Sequence, residues 1–334
     1  MPRLLTIFRS GVLSGAVLVL LGLHPALAQA PEKITVAYFL EWPTANQVAQ
    51  IQGWYQDEMG VEVEWRAFDA GTEMAAAMVA GEVDIAYSMG SVPFAIAVSQ
   101  GAPIKAVGVA VSYAENDNCV IYKKAAIDKA NAQALEGKKV AVPFGTVTHY
   151  KMLRTLEHLG VDIGKLELID MVSADAAEAF LAGELTMACG WGGALRRMKG
   201  HGYELMSAKE QERLGIRVFD VIAVTTELAE TAPELITKFL AVTDRAATYL
   251  DDEPEAAKPV IAEAAGMELK ESNIVLSLFE FPTRDEQLSG TWMGGTVAPF
   301  LKQVGEFFVA QGELETALDD YGPTVDPSFY QEVP

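Results

Sequence analysis

Two short tracts carry residue types suited to holding a ligand. Ser88-Met89-Gly90-Ser91 follows a strand-like run and precedes a helix with Pro93 in its first turn. Gly145-Thr146-Val147-Thr148 does the same ahead of His149 and Tyr150. Hydroxyls and glycines at a helix start offer backbone N–H groups under a favourable dipole, a seat for an anion. The same residues also serve as ordinary caps, and for an isolated Ser or Thr that is the commoner role. A carboxylate inside an apolar run needs a partner when buried, and Asp220 in Arg217-Val218-Phe219-Asp220-Val221 is such a residue. Glu41, Trp42 and Trp191 add a second acid and two rings, a set able to hold an amine through cation–π contact worth about 0.5–2 kcal/mol. Gly190, Gly192 and Gly193 surround Trp191 and point to close backbone approach there, against the alternative of simple core packing. His149 either donates to a ligand or closes the first helical turn, and Tyr150 likewise. Asn116-Asp117-Asn118 offers amides, with Asn118 as the candidate contact, although turns favour Asn and Asp in any case. Arg196 and Arg197 read as a solvated helix face.

These residues need a frame, and the pattern along the chain supplies one. Lys33–Leu40 is β-rich, Ala45–Met59 has helical periodicity ending at Gly60, and Val61–Phe68 alternates like a half-buried strand. Helix, strand, helix and strand follow through Val111, and the alternation predicts an α/β unit with a largely parallel sheet. A second α/β unit starts near Cys119 and runs through the strand Thr186–Cys189. Val218–Thr225 returns as a strand, after which the sequence is almost wholly helical. In parallel sheets of this kind ligands sit beyond the carboxyl ends of the strands, at helix N-termini. Both hydroxyl tracts occupy such positions.

Composition narrows the classes. The 334 residues carry 25 Lys+Arg against 46 Asp+Glu, a formal net charge of −21, with 50% hydrophobic and 21% charged residues. Disorder, collagen-like structure and coiled coil are excluded, and an acidic chain is a poor partner for nucleic acid. Residues 1–30 read as a secretory signal: Arg3 and Arg9, the apolar run Gly11–Leu23, then Ala26-Leu27-Ala28 and Ala28-Gln29-Ala30 as cleavage sites. The expected mature protein is soluble and exported, with two domains' worth of chain. Cys119 and Cys189 lack CxxC spacing and any neighbouring base, so they read as packing or as a pair formed in an oxidising compartment.

Taken in order, VAYFLEWPTANQVAQ, WRAFDAGTEMAAAMVAGEVDIAYSMGSVPFAIAVSQGAPI and LEGKKVAVPFGTVTHYKMLRTLEHLGV resemble the taurine- and aliphatic-sulfonate-binding proteins of ABC importers, VAVPFGTVTHY being the most specific tract. The similarity runs over essentially the whole chain after the leader. It departs at Trp191-Gly192-Gly193, where better-known taurine binders have Trp-Ala-Pro, and at Glu41-Trp42-Pro43, where the family loop is Ser/Ala-rich. The resemblance implies a bilobal, type II-like periplasmic-binding-protein fold of two α/β lobes joined by a hinge, with a helical C-terminal part. Residues 31–116 and 221–334 would form lobe 1 and residues 117–220 lobe 2, with hinges near Asn116–Cys119 and Arg217–Asp220.

The role implied is a monomeric periplasmic protein that captures a small zwitterionic sulfonate such as taurine and delivers it to an ABC permease, without cofactor, metal or catalysis. Asp220 would face the ligand amine. The ligand contacts would be Glu41, Trp42, Gly90, Ser91, Asn118, Thr146, Thr148, His149, Trp191 and Asp220. One alternative keeps the role and changes the ligand to a quaternary amine or another sulfonate. The other is an enzyme like the desulfinase and pyrimidine-precursor synthases that share the fold.

Overall fold

The computed structural model describes residues 31–334, and the expected leader over residues 1–30 lies outside them. Among the described residues ten strands form two five-stranded sheets. The first contains β1 (Lys33–Phe39), β2 (Glu62–Phe68), β3 (Ile85–Gly90), β4 (Ile104–Ser112) and β10 (Phe219–Thr225), in the order β2-β1-β3-β10-β4. The second contains β5 (Asp117–Tyr122), β6 (Lys139–Val142), β7 (Glu167–Asp170), β8 (Met187–Trp191) and β9 (Gly202–Tyr203), in the order β7-β6-β8-β5-β9.

The residue patterns explain each place. β3 is buried at every position, as a central strand covered on both faces must be. β2 is an edge strand, with Glu62, Glu64 and Arg66 exposed and Val63 and Trp65 half-buried between them. Helices Gly71–Val79 and Ser91–Ser99 cover the first sheet, and Val147–His158, Ser173–Leu181 and Gly192–Lys199 accompany the second. The C-terminal helices Pro233–Asp252, Pro254–Ala264, Leu269–Leu276 and Val297–Ala310 pack on other helices, Val297–Ala310 against Ser91–Ser99 and Leu269–Leu276 against both Pro254–Ala264 and Gly192–Lys199. Among the described residues no helix is long and apolar enough to cross a membrane.

Both sheets are largely parallel, as expected, and each contains a single antiparallel strand. β2, β1 and β3 run parallel, and so do β7, β6 and β8. β10, however, is antiparallel to both β3 and β4, and β5 is antiparallel to both β8 and β9. The reason lies in the connections. β10 and β5 are the strands by which the chain enters one sheet from the other, so each starts at the end where its neighbours finish. The two crossing segments also pair with one another, Tyr113 N–H donating to Val218 O at 3.2 Å.

Cys119 and Cys189 face each other across β5 and β8 and form a disulfide. It closes a span of 70 residues within the second sheet's half of the molecule. Such a bond stabilises mainly by restricting the unfolded chain. Replacing both cysteines with alanine should cost about 2–4 kcal/mol in a urea titration, with thiol counting as the control. An unchanged midpoint would mean that the bond contributes nothing to the native fold.

Candidate functional site

The carboxyl ends of parallel strands from both sheets converge on one cleft. Phe39 ends β1, Gly71 opens the helix after β2, and Gly90 ends β3. From the second sheet come Trp191, which ends β8, and Thr146, Val147 and Thr148 at the head of helix Val147–His158. Because β5 and β10 run the opposite way, their first residues reach the same cleft. Asp117 is the first residue of β5 and Asp220 the second of β10, and both line it.

Asp220 is held by hydroxyls. Its Oδ1 accepts from Tyr113 OH at 2.5 Å and its Oδ2 from Ser88 Oγ at 2.7 Å, while Ser88 Oγ accepts from Trp42 Nε1 at 3.1 Å. Ser88 occupies the left-handed region at φ 72°, and β3 has one residue more than β10 at this point, since Val221 pairs with Met89 and Ile222 with Tyr87. A bulge re-aims a side chain, and here it turns a serine hydroxyl onto a carboxylate. Trp42 packs edge-on against Tyr113 at 4.8 Å and lies 4.5 Å from Phe279. Burial pushes the Asp220 carboxyl up to about 7, opposed by the two hydroxyl donors and assisted by repulsion from Asp117.

Asp117 Oδ2 accepts from Thr148 Oγ1 at 2.6 Å, and its Oδ1 has no hydrogen-bond partner. Lys151 Nζ, fully buried, donates to the backbone carbonyls of Ala114, at 2.8 Å, and of Asp117, rather than to the carboxylate. Burial raises the Asp117 carboxyl to about 6, with Lys151 and Thr148 pulling it back. No lining residue is basic. Nor does any cluster of three His, Cys, Asp or Glu among the described residues suit a metal ion.

The residues singled out from sequence divide into two groups. Trp42, Gly90, Thr146, Thr148, Trp191 and Asp220 line the cleft. At Gly90 a Cβ would lie 3.1 Å from Val147 Cγ2 and 3.0 Å from Pro93 Cδ, so glycine is what lets the two halves meet. Thr146 is also the cap that sequence allowed: its Oγ1 accepts from His149 N–H at 3.2 Å and donates to Pro143 O at 2.7 Å. The N–H groups of Val147 and Thr148 remain without an intrahelical acceptor.

Four candidates do not line the cleft. Asn118 points to the opposite face from Asp117, as neighbours on a strand must, donating to Met206 O and accepting from Cys119 N–H and Gln211 Nε2. His149 lies behind the helix start, its Nδ1 accepting from Gly145 N–H and its ring stacked on Phe144 at 4.7 Å. Burial depresses it to about 4, so it is neutral at pH 7. Tyr150, weighed beside it, lies edge-on to Phe307 at 5.2 Å. Glu41 is exposed at φ 53° and faces an outer polar recess shared with Arg196 and Glu271. Ser91 is buried one residue behind Gly90, and its Oγ has no partner. Arg197 is exposed on the helix surface and pairs with Glu178, whereas Arg196 is half-buried, pairing with Glu271 at 2.5 Å while its Nη1 is buried without a partner.

Sequence reading passed over Asp117, Tyr113 and Phe39. Asp117 had the signal that marked Asp220, an acid at the head of an apolar strand, but its Asn neighbours made it look like a turn.

Residues 44–257 match the NMT1/THI5 like family. The chain belongs to that family. It is 28% identical over 305 residues to the taurine-binding periplasmic protein of Escherichia coli K12, covering 89% of this chain and 92% of that one. Among solved structures, the periplasmic aliphatic sulphonate binding protein SsuA of Escherichia coli superposes with a TM-score of 0.71 at 19% identity, over 90% of this chain and all of that one. The desulfurization enzyme DSZB also shares the fold, with a TM-score of 0.62 at 14% identity over 91% of this chain and 99% of its own. This NMT1/THI5-like chain therefore has the periplasmic-binding-protein fold, with its cleft at the meeting of two sheets.

The raised carboxyls have a consequence for stability. Between pH 4 and 7 the folded protein holds protons on Asp117 and Asp220 that the unfolded chain has released, so these groups make stability fall as pH rises through that window. Asp220→Asn should flatten that fall and raise the unliganded protein's stability at pH 8 by about 1–3 kcal/mol. Thermal melts at pH 5 and pH 8 check this. A lower melting temperature for the variant at pH 8 would refute it.

Proposed function

We propose that this protein is a periplasmic solute-binding component of an ABC importer that captures taurine or a related small amino-sulfonate. The carrying observation is the cleft itself: a buried carboxylate, Asp220, and free N–H groups at the head of helix Val147–His158 in one small space with no basic side chain. A zwitterion needs that division, a carboxylate for its ammonium and a helix N-terminus for its anion. The family membership and the taurine-binding relative support the assignment.

On this reading residues 31–116 with 219–334 form one lobe and residues 117–218 the other, the boundary falling at the start of β10 and not after Asp220 as expected from sequence. Ligand would be trapped by hinge closure about the two crossing segments, and the closed protein would dock as a monomer on the permease. On this reading the protein is a carrier, and both cysteines are joined in a disulfide, so neither offers the thiolate that a cysteine-dependent enzyme would need.

A second reading, a quaternary-amine ligand, draws support from the rings of Phe39, Trp42, Tyr113 and Trp191 along the cleft. Calorimetric titration of ligand-free protein with taurine tests the first. Saturable one-to-one binding is the expected result, and Asp220→Asn should weaken it by about tenfold or more. No heat at millimolar taurine would move the ligand elsewhere.

A further inference from the structure

We propose that Asp117 is the second carboxylate of the ligand site, and that Asp117 and Asp220 together select a cation bearing N–H donors, a primary ammonium over a quaternary one. The inference rests on the amine reading just given and names the residue and donor chemistry that reading leaves open.

The argument starts from lone pairs. Both oxygens of Asp220 already accept a hydroxyl, from Tyr113 and Ser88. Asp117 Oδ2 likewise accepts from Thr148, but its Oδ1 is buried in a residue only 1% exposed and accepts from nothing. A buried carboxylate oxygen without a donor is costly, and native proteins rarely leave one so.

The surrounding elements cannot cure this. From helix Val147–His158, Thr148 is already used and Lys151 is directed to the carbonyls of Ala114 and Asp117. Trp191 is the strand partner on β8, and across the cleft β10 presents another acid, Asp220. The carboxylate of Asp117 takes part in no ion pair among the described residues. The missing donor must therefore come from what enters the cleft.

An ammonium has three donors and a compact charge. One N–H can go to Asp117 Oδ1 and another to a free lone pair of Asp220, which ties the two sheets together through the ligand. A trimethylammonium has charge but no N–H. It would satisfy the rings and leave Asp117 Oδ1 as it stands. Lys151 acts here as a positioning residue: it pins the peptide that carries Asp117 without giving the carboxylate a hydrogen bond.

The test is calorimetric titration of the wild-type protein, Asp117→Asn and Asp220→Asn with taurine, its N-trimethyl analogue and ethanesulfonate. Wild type should prefer taurine to the trimethyl analogue by about tenfold or more, the worth of a charge-assisted hydrogen bond. Asp117→Asn should lose that preference, weakening taurine about tenfold more than it weakens the trimethyl analogue. A variant that had merely lost its fold would weaken both ligands alike, so the ratio reports the contact, and the wild-type comparison needs no variant. Equal wild-type affinity for the two amines, or unchanged taurine binding by Asp117→Asn beside a loss in Asp220→Asn, would overturn the role of Asp117 and leave the amine reading standing. Equal affinity for ethanesulfonate and taurine would overturn both.

Discussion

The arrangement depends on how the chain passes between its two sheets. Each passage delivers a strand antiparallel to its neighbours, β5 into the second sheet and β10 into the first. An antiparallel entrant starts where the parallel strands stop. Its first residues therefore share the cleft with the strand ends and helix starts that supply backbone N–H groups. Asp117 and Asp220 occupy those first positions. Two acids distant in sequence thus meet in one cavity through topology alone, without either being placed by a loop.

Holding them there costs stability, and the surroundings reveal the compromise. Burial disfavours both carboxylates, and their mutual repulsion adds to the burden on Asp220. The protein answers with hydroxyl donors, Tyr113 and Ser88 on Asp220 and Thr148 on Asp117, and with the charge of Lys151 near Asp117. Ser88 reaches Asp220 only through a left-handed backbone conformation within a strand, itself a strain of about 1–3 kcal/mol. Hydroxyl donors orient a carboxylate and reduce its desolvation, but they carry no charge. On the amino-sulfonate reading the cleft is thereby shaped for a cation that no lining side chain supplies, which keeps affinity available for the ligand.

Much of this was legible from residue order. The two α/β units, the helical tail and the convergence of the Gly90 and Thr146 tracts follow from periodicity and from the rule that ligands lie beyond strand ends. Asp220 was marked by the apolar run around it. What could not be read was direction. Asp117 and Asn118 are adjacent, and only strand pairing decides that Asp117 faces the cleft while Asn118 turns to Met206 and Gln211. His149 follows Thr148 by one residue, and a rotation of about 100° along the helix carries it out of the cleft and onto Phe144. Glu41 fails for another reason: a left-handed turn places it outside, with its N–H on Ala265 O.

The hydroxyls that look from sequence like anion ligands are largely spent inside the protein. Thr146 caps its helix and bonds Pro143, Thr148 serves Asp117, and Ser88 serves Asp220. On the amino-sulfonate reading this divides the labour. Side chains address the amine, and the anion falls to main-chain N–H groups such as those of Val147 and Thr148, with the helix dipole behind them. Main-chain donors are insensitive to side-chain substitution, so the anion end should be the generic part of the site. Its choice among related compounds would then be written at the amine end, in the acids and rings contributed by the crossing strands and their partners.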